Sequence, residues 1–187
     1  MRLFLAVVPP DSVLQELDAA VRPLRRLPQG AGLRWTALET WHLTLAFLGH
    51  LDAEQLAALE PRLAHVAHEH PAHVLRLSGG GRFGDRALWA GVGGETKELR
   101  RLAEEVCDAA RRSGIPVDDR PFRGHLTLAR SGSARSDLRP FARELEEYEG
   151  GQWTAGSIHL IRSYLGAGPV RYETLQEWPL TADSAAG

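Results

Sequence analysis

The sequence predicts an α+β fold in which helices pack on the outer faces of antiparallel sheets. Strand-like segments arrive partly as hairpins and partly separated by amphipathic helices, a mixture typical of this class. The order strand, helix, strand, helix is loosely repeated before and after the middle of the chain, and no linker divides it. We therefore expect one domain over residues 1–181, built from two pseudo-symmetric lobes around a central cleft. A flexible tail is expected over residues 182–187.

The N-terminal part of the chain predicts a strand followed by an amphipathic helix. An apolar run over residues 3–8 ends at two prolines, which cannot donate to a sheet ladder and so suit the end of a strand. Asp11 or Ser12 is expected to cap the helix. Pro28 and Gly30 are expected to end it. The helix is recognised by an apolar stripe with three- and four-residue spacing, formed by Val13, Leu14, Leu17, Val21 and Leu24.

The middle of the chain predicts a second strand, a second helix and a hairpin. The strand covers residues 41–48, and the helix covers residues 52–70, where Pro61 should kink or divide it. A glycine-rich turn is then expected to join two strands. The two strands cover residues 73–77 and 86–92, and the turn covers residues 78–85.

The C-terminal half predicts two more helices and three more strands. A long helix with one apolar face covers residues 95–112, and a strand covers residues 124–130. A short helix over residues 137–148 follows. A closing hairpin is expected from strands over residues 157–164 and 170–178, because a Gly-Ala-Gly-Pro turn separates them.

Composition limits the classes of function. The chain has 187 residues, 43% of them hydrophobic, and a formal net charge of -2, which argues against wrapping long duplex nucleic acid because such binding needs many Lys and Arg contacts. A short RNA end remains compatible. The single cysteine, Cys107, favours a reducing compartment, and we expect a cytoplasmic monomer. The N-terminal apolar run is far shorter than the roughly 20 residues that span a bilayer, so no membrane contact is expected.

The tetrapeptide His-Leu-Thr-Leu occurs twice, beginning at His42 and at His125. Side chains alternate along a strand, so His42 and Thr44 share one face while the two leucines share the other. The second copy places His125 and Thr127 in the same way. The leucines can enter the core of each lobe, which leaves two His-Thr pairs facing one ligand in the cleft. A single copy would suit an ordinary strand, whereas two copies in matching contexts favour a site.

Two histidines and two threonines suit the attack of water on a cyclic phosphodiester without a metal. Imidazole has an unperturbed pKa of about 6.5, and each positioned acid or base contributes about 10² to 10⁴ in rate. One histidine would take a proton from water while the other protonates the departing sugar oxygen, so the two should lie on opposite walls. The hydroxyls of Thr44 and Thr127 would donate to the non-bridging phosphate oxygens. The residues alone do not assign the acid and the base.

Around this repeat the sequence resembles the 2H phosphoesterases, and among them the family of RNA 2',3'-cyclic phosphodiesterases, also called 2'-5' RNA ligases. The matching segments are RLFLAVVPP, WHLTLAFLG, GRFGDRALWAGV, FRGHLTLAR and SIHLIRSYLG. The resemblance implies a bilobal α+β fold and hydrolysis of RNA 2',3'-cyclic phosphate ends to 2'-phosphomonoesters, with no metal or cofactor. In some members it implies reversible joining of tRNA halves through a 2'-5' bond. By motif position, it implies that His42 is the proton donor to the leaving 3'-oxygen and His125 the proton acceptor from water.

Arg130 and Phe47 are the candidate substrate contacts beyond the two motifs. Arg130 would contact the phosphate or stack on a base, and Phe47 would offer a stacking face. Strict alternation places both on the face opposite the histidines, so a bulge or a strand end must turn them. Without one, they would have plain solvent and core roles.

Several other features are assigned no chemistry. A cluster of histidines lacks a completing ligand set and is expected to be a solvated surface; it consists of His65, His68, His70 and His73. The glycines of residues 79–84 formally match a dinucleotide loop, yet they precede a strand and are read as a turn. His159 has no matching threonine. Arginine pairs on the helices are expected to face water, and Trp89, Trp153 and Trp178 are expected in the core.

Two alternative functions remain open. The same His-Thr apparatus could open another cyclic phosphate, such as an ADP-ribose cyclic phosphate or a 2',3'-cyclic mononucleotide. The chain could instead be a module that binds nucleotides or RNA ends without turnover. Two intact histidines argue against the second alternative, because binding needs only the threonines and basic groups.

Overall fold

The structure, a computed structural model, describes residues 1–182, and the tail expected over residues 182–187 lies outside this range apart from Ala182. The strands are β1 (Arg2–Val7), β2 (Leu33–Trp35), β3 (Leu43–His50), β4 (His73–Phe83), β5 (Ala87–Gly94), β6 (His125–Ser131), β7 (Trp153–Ala155), β8 (Ser157–Tyr164) and β9 (Arg171–Pro179). The helices are α1 (Asp11–Arg25), α2 (Ala53–Glu69), α3 (Thr96–Arg112) and α4 (Arg139–Leu145), with 3-10 turns at Pro28–Gly32 and Leu38–Thr40. Within this range, no helix has the length and apolar character needed to cross a membrane.

The strands form two sheets, and every pairing between the named strands is antiparallel. The first sheet has the order β3-β1-β8-β9, and the second sheet has the order β2-β6-β5-β4-β7. The predicted α+β class is therefore confirmed. The two copies of the repeated tetrapeptide fall on β3 and β6, so each sheet carries one copy.

One large hydrophobic cluster contains residues of both sheets. The four leucines of the repeated tetrapeptide all belong to it, and each is at most 4% exposed. These leucines are Leu43, Leu45, Leu126 and Leu128. Burying a leucine side chain contributes about 1.5–3 kcal/mol. The burial of these leucines holds the alternate side chains of β3 and β6 on the opposite faces, where the motif histidines and threonines lie.

The two N-terminal helices begin in different ways. The residue before α1 is Pro10, which makes no side-chain capping bond, so the predicted cap by Asp11 or Ser12 is wrong. Asp11 is instead the first residue of the helix, where its negative charge interacts favourably with the positive end of the helix dipole. In α2, Asp52 accepts a hydrogen bond from the backbone N–H of Gln55 and completes a capping box. Pro61 does not divide α2, which continues to Glu69.

Most of the glycine-rich segment over residues 78–85 belongs to β4, so the predicted turn over these residues is too long. β4 continues to Phe83, and a register shift between Leu77 and Gly80 accommodates the extra residues. Gly80 packs against Leu145, and a Cβ there would lie 2.5 Å from that side chain. Close packing accounts for Gly80 and Gly81, whereas Gly79 and Gly84 have positive φ. The three-residue strands β2 and β7 were not predicted, because they are too short to show periodicity.

Candidate active site

The two motif histidines occupy equivalent places in the two sheets. His42 immediately precedes β3, and His125 is the first residue of β6. Both imidazoles are half-buried, as are the hydroxyl groups of Thr44 and Thr127. The predicted division holds in both copies, since the leucines face the core and the histidines and threonines face away from it.

Both imidazoles are oriented by the same backbone contact. The Nδ1–H of His42 donates to the carbonyl oxygen of Thr40 at 2.7 Å, and the Nδ1–H of His125 donates to the carbonyl oxygen of Arg123 at 2.8 Å. In each case the acceptor lies two residues before the histidine. A neutral imidazole held in this way has its lone pair on Nε2. Each histidine therefore presents Nε2 as the atom that can accept or donate a proton.

The Nε2 atoms of the two histidines have different surroundings. The hydroxyl of Thr44 lies 2.8 Å from Nε2 of His42 and donates to it when the imidazole is neutral. Within the part of the chain that the structure describes, Nε2 of His125 has no hydrogen-bond partner. The two copies of the motif are therefore equivalent in position but not in hydrogen bonding.

Aromatic rings flank each imidazole. The ring of His42 lies 4.6 Å from that of Phe4 and 5.5 Å from that of Tyr172. The ring of His125 lies 4.9 Å from that of Phe83 and 6.2 Å from that of Trp89. These four aromatic residues come from strands distant in sequence, so the sequence did not indicate their place beside the histidines.

Burial lowers the pKa of both histidines below the ordinary value of 6.5. For His42, the hydrogen bond to Thr40 opposes this effect, and the positive charge of His125 lowers the pKa further. For His125, the guanidinium groups of Arg130 and Arg123 act in the same direction as burial. Both shifts favour the neutral imidazole over the imidazolium.

A bulge in β3 places Phe47 on the face of Thr44. Ala6 pairs with Thr44 whereas Leu5 pairs with Ala46, so Leu45 is an extra residue in the ladder. Phe47 then lies opposite Phe4, with the two rings 6.3 Å apart. The Phe47 side chain is 67% exposed and free to meet a ligand. The bulge that this placement requires is therefore present.

A matching bulge in β6 places Arg130 on the face of Thr127. Trp89 pairs with Thr127 and Leu88 pairs with Ala129, so Leu128 is the extra residue. The charge of Arg130 lowers the pKa of His125 in its own sheet. It also opposes the rise that burial causes in the pKa of Tyr172, which belongs to the first sheet. Arg130 therefore shares the face of the second sheet that carries Thr127.

One prediction about the side chains around this site is wrong. Trp89 was expected in the core, but it is half-buried beside His125, and its Nε1 has no partner among the described residues. Trp153 and Trp178 are buried in the core as predicted. His159, to which no chemistry is assigned, lies opposite Ala6 on the same face as Thr44, with Nε2 3.7 Å from Glu177. The alternation and register that reveal these positions depend on strand partners distant in sequence.

The histidine cluster around the end of α2 is only partly solvated. His65 and His68 are exposed, whereas His70 and His73 are at most 2% exposed, so the expectation of a solvated surface is wrong for the second pair. His73 is the first residue of β4, and His70 lies against α3, with Nε2 3.9 Å from Glu98. In residues 1–182, no group of three or more His, Cys, Asp or Glu side chains is placed to hold a metal ion.

Comparison with known proteins shows relatives in both sequence and structure. The profile of the family described as "LigT like Phosphoesterase" matches residues 7–93 and 91–172. The chain is 31% identical to the RNA 2',3'-cyclic phosphodiesterase of Escherichia coli strain K12, with 96% of this chain and 97% of that protein covered. It is 33% identical to the protein of the same name from Geobacillus stearothermophilus over 78% of this chain, and it spans 47% of that relative's length.

Solved structures agree with the sequence comparison. The crystal structure of E. coli LigT complexed with 3'-AMP superposes with a TM-score of 0.77 at 30% identity, and the match covers 96% of this chain and 98% of that one. The matches to the family extend over both histidine motifs and both sheets. This chain therefore belongs to the LigT-like phosphoesterase family.

Proposed function

We propose that this protein hydrolyses RNA 2',3'-cyclic phosphate ends to 2'-phosphomonoesters, with His42 as the acid and His125 as the base. The observation that carries the proposal is the matched pair of imidazoles. His42 directly precedes β3 of the first sheet and His125 begins β6 of the second, and each is fixed through Nδ1 to a backbone carbonyl. In this proposal the two Nε2 atoms act on one ligand. Relatives named RNA 2',3'-cyclic phosphodiesterase support the choice of substrate.

The hydrogen bonds at Nε2 support the assignment of the two roles. Nε2 of His125 is without a partner among residues 1–182, so it can accept a proton from the attacking water. When His42 is protonated, its Nε2–H donates to the Thr44 hydroxyl oxygen in the free protein, and the leaving 3'-oxygen would replace this acceptor as it takes the proton. Motif position gives the same assignment.

The remaining polar groups would stabilise the charge that develops at phosphorus. The hydroxyls of Thr44 and Thr127 would donate to the non-bridging oxygens as the five-coordinate state forms. Arg130 would neutralise the phosphate from the second sheet, since it shares a face with Thr127. Phe47 would stack on the terminal base, because its ring is exposed on the face of Thr44.

The first experiment is turnover of an oligoribonucleotide that ends in a 2',3'-cyclic phosphate, with EDTA present throughout. Wild type is compared with His42→Ala, His125→Ala and the control His65→Ala, whose imidazole is exposed on α2. We expect 2'-phosphate product from wild type and the control, with each motif variant reduced about 10²- to 10⁴-fold. No turnover by wild type, or its loss with EDTA, would overturn the proposal.

Two further functions are kept as outcomes of the same assay. Turnover of a cyclic mononucleotide or an ADP-ribose cyclic phosphate, but not of RNA, would assign the site to another cyclic phosphate. Binding of RNA ends without turnover would assign it to a binding module. Reversible 2'-5' joining of tRNA halves, a monomeric state and a cytoplasmic location remain predictions. Ligation is tested by adding a second RNA with a free 5'-hydroxyl and measuring the 2'-5'-linked product.

A further inference from the structure

Two arginines stand side by side on the face of the second sheet that carries the second motif. Arg34 of β2 pairs directly with Arg130 of β6, so the two side chains leave the sheet on the same face. Directly opposed residues in antiparallel strands have Cβ atoms about 4.5–5.5 Å apart. Like charges on directly opposed residues disfavour the pairing, and an anion bound by both guanidinium groups would relieve this repulsion.

The orientation of Arg34 is set by its neighbours. Leu33 is buried in the core, and Trp35 donates from Nε1 to the carbonyl oxygen of Gly30 at 2.9 Å while its ring packs near Phe141. Because side chains alternate along a strand, Arg34 must leave on the opposite face. β2 is only three residues long, so these two neighbours determine where the guanidinium is held.

Neither arginine has a carboxylate partner in the described part of the chain. Arg34 donates from Nη2 to the carbonyl oxygen of Ser131 at 3.2 Å, which orients it without neutralising it. Arg130 makes no ion pair among these residues. Seven other arginines in the same range do pair with carboxylates: Arg22, Arg25, Arg76, Arg101, Arg111, Arg120 and Arg139. The pair in the second sheet is therefore an uncompensated double positive charge.

The position of the pair relative to the reacting phosphate decides what it can bind. Arg130 follows Thr127 on the same face of β6, and its charge acts on His125. Arg34 lies on the neighbouring strand, about 4.7–4.9 Å away, and its partner Arg130 is five positions along β6 from His125. Because this place is offset from the histidines, a second anionic group of the same substrate would fit it better than the reacting phosphate.

We propose that Arg34 binds the phosphodiester immediately upstream of the terminal nucleotide, beside the reacting phosphate that Arg130 would neutralise. A guanidinium presents parallel N–H donors that match two phosphate oxygens, whereas a lysine ammonium acts as a point charge. The consequence is a preference for oligoribonucleotide ends over cyclic mononucleotides, since only the former carry this phosphodiester. This inference rests on the proposed function, because it names the part of the RNA that the same site would recognise.

The test compares two substrates, a 2',3'-cyclic mononucleotide and a trinucleotide with a 2',3'-cyclic phosphate. Arg34→Ala should lower kcat/KM about 10- to 100-fold for the trinucleotide, mainly through KM, and leave the mononucleotide unchanged. Arg34→Lys should recover part of the loss, because lysine restores the positive charge but not the two parallel N–H donors of the guanidinium. Arg62→Ala, which removes an exposed arginine of α2, is the matched control and should change neither substrate.

A substrate change identifies the contact itself. Replacing the phosphodiester before the terminal nucleotide by a neutral methylphosphonate should lower kcat/KM of wild type by a similar factor. The same replacement should have little further effect on Arg34→Ala, because the contact is already absent. Additive losses would overturn the proposal, as would an equal loss by Arg34→Ala on both substrates. If wild type hydrolyses neither substrate, the proposed function fails; if it hydrolyses both and Arg34→Ala does not discriminate, only the inference about Arg34 fails.

Discussion

The hydroxyl of Thr44 lies 2.8 Å from Nε2 of His42, so the two polar side chains of the first motif are hydrogen-bonded to each other across one face of β3. This bond fixes the direction of the atom that would transfer the proton. It also keeps the hydroxyl beside the place where the phosphate must sit. Removal of the hydroxyl should therefore affect the chemical step more than the affinity for substrate.

Replacing Thr44 by valine preserves the shape of the side chain and removes the donor. We expect Thr44→Val to lower kcat about 10²- to 10³-fold, as the loss of one donor to a developing oxyanion does in other sites. Thr44→Ser keeps the hydroxyl and should retain most of the activity. Single-turnover kinetics would measure the chemical step. An effect of Thr44→Val on KM alone would contradict this role.

The pH dependence follows from the lowered pKa of both histidines. The base must be unprotonated, so kcat/KM falls as the pH drops below its pKa. The acid must be protonated, so kcat/KM falls as the pH rises above its pKa. Burial lowers both pKa values from 6.5, and we expect a bell-shaped profile with its maximum below pH 6.5.

The profile of kcat should be displaced to higher pH. The anionic phosphate of the bound substrate favours the protonated imidazole, so both pKa values rise in the complex. Because the two histidines are coupled, the limbs report the pair rather than either residue. A kcat/KM profile that is flat between pH 5 and pH 9 would exclude the acid and base pair.

The acid and base roles can be separated with a better leaving group. A 2',3'-cyclic phosphate with sulfur in place of the bridging 3'-oxygen releases a thiolate, which needs little help from an acid. We expect His42→Ala to recover most of its activity on this substrate, because the step that it catalyses is no longer demanding. His125→Ala should remain as impaired as on the oxygen substrate. Recovery of His125→Ala instead would reverse the two assignments.

Gly81 gives the ring of Trp89 its place beside His125. A Cβ at Gly81 would lie 2.4 Å from Cζ2 of Trp89, so Gly81→Ala must displace the indole. We expect a loss of about 1–3 kcal/mol in the free energy of unfolding, measured by urea denaturation, together with lower kcat. Gly156→Ala is the matched control, because a Cβ there has no heavy atom within 4 Å. Equal stability of both variants would show that the ring adapts without cost.

Local pattern in the sequence was sufficient for the helices and for the two motifs. The apolar stripe of α1 is buried at each predicted position, since a helix repeats its faces every three to four residues. Strand alternation likewise placed the motif leucines inward and His42 and His125 outward. These regularities depend on residues close together in the chain. The predicted α+β class and the two sheets each carrying one motif followed from them.

What only the tertiary structure decided is which side chains from distant strands meet at the site. Bulges at Leu45 and Leu128 turn Phe47 and Arg130 toward the faces of the motif threonines, and a sequence permits such bulges without revealing them. The pairing of Arg34 with Arg130 likewise depends on the register between strands that are far apart in the chain. Cross-strand register is set by packing and hydrogen bonding across the whole sheet, so no local pattern of residues contains it.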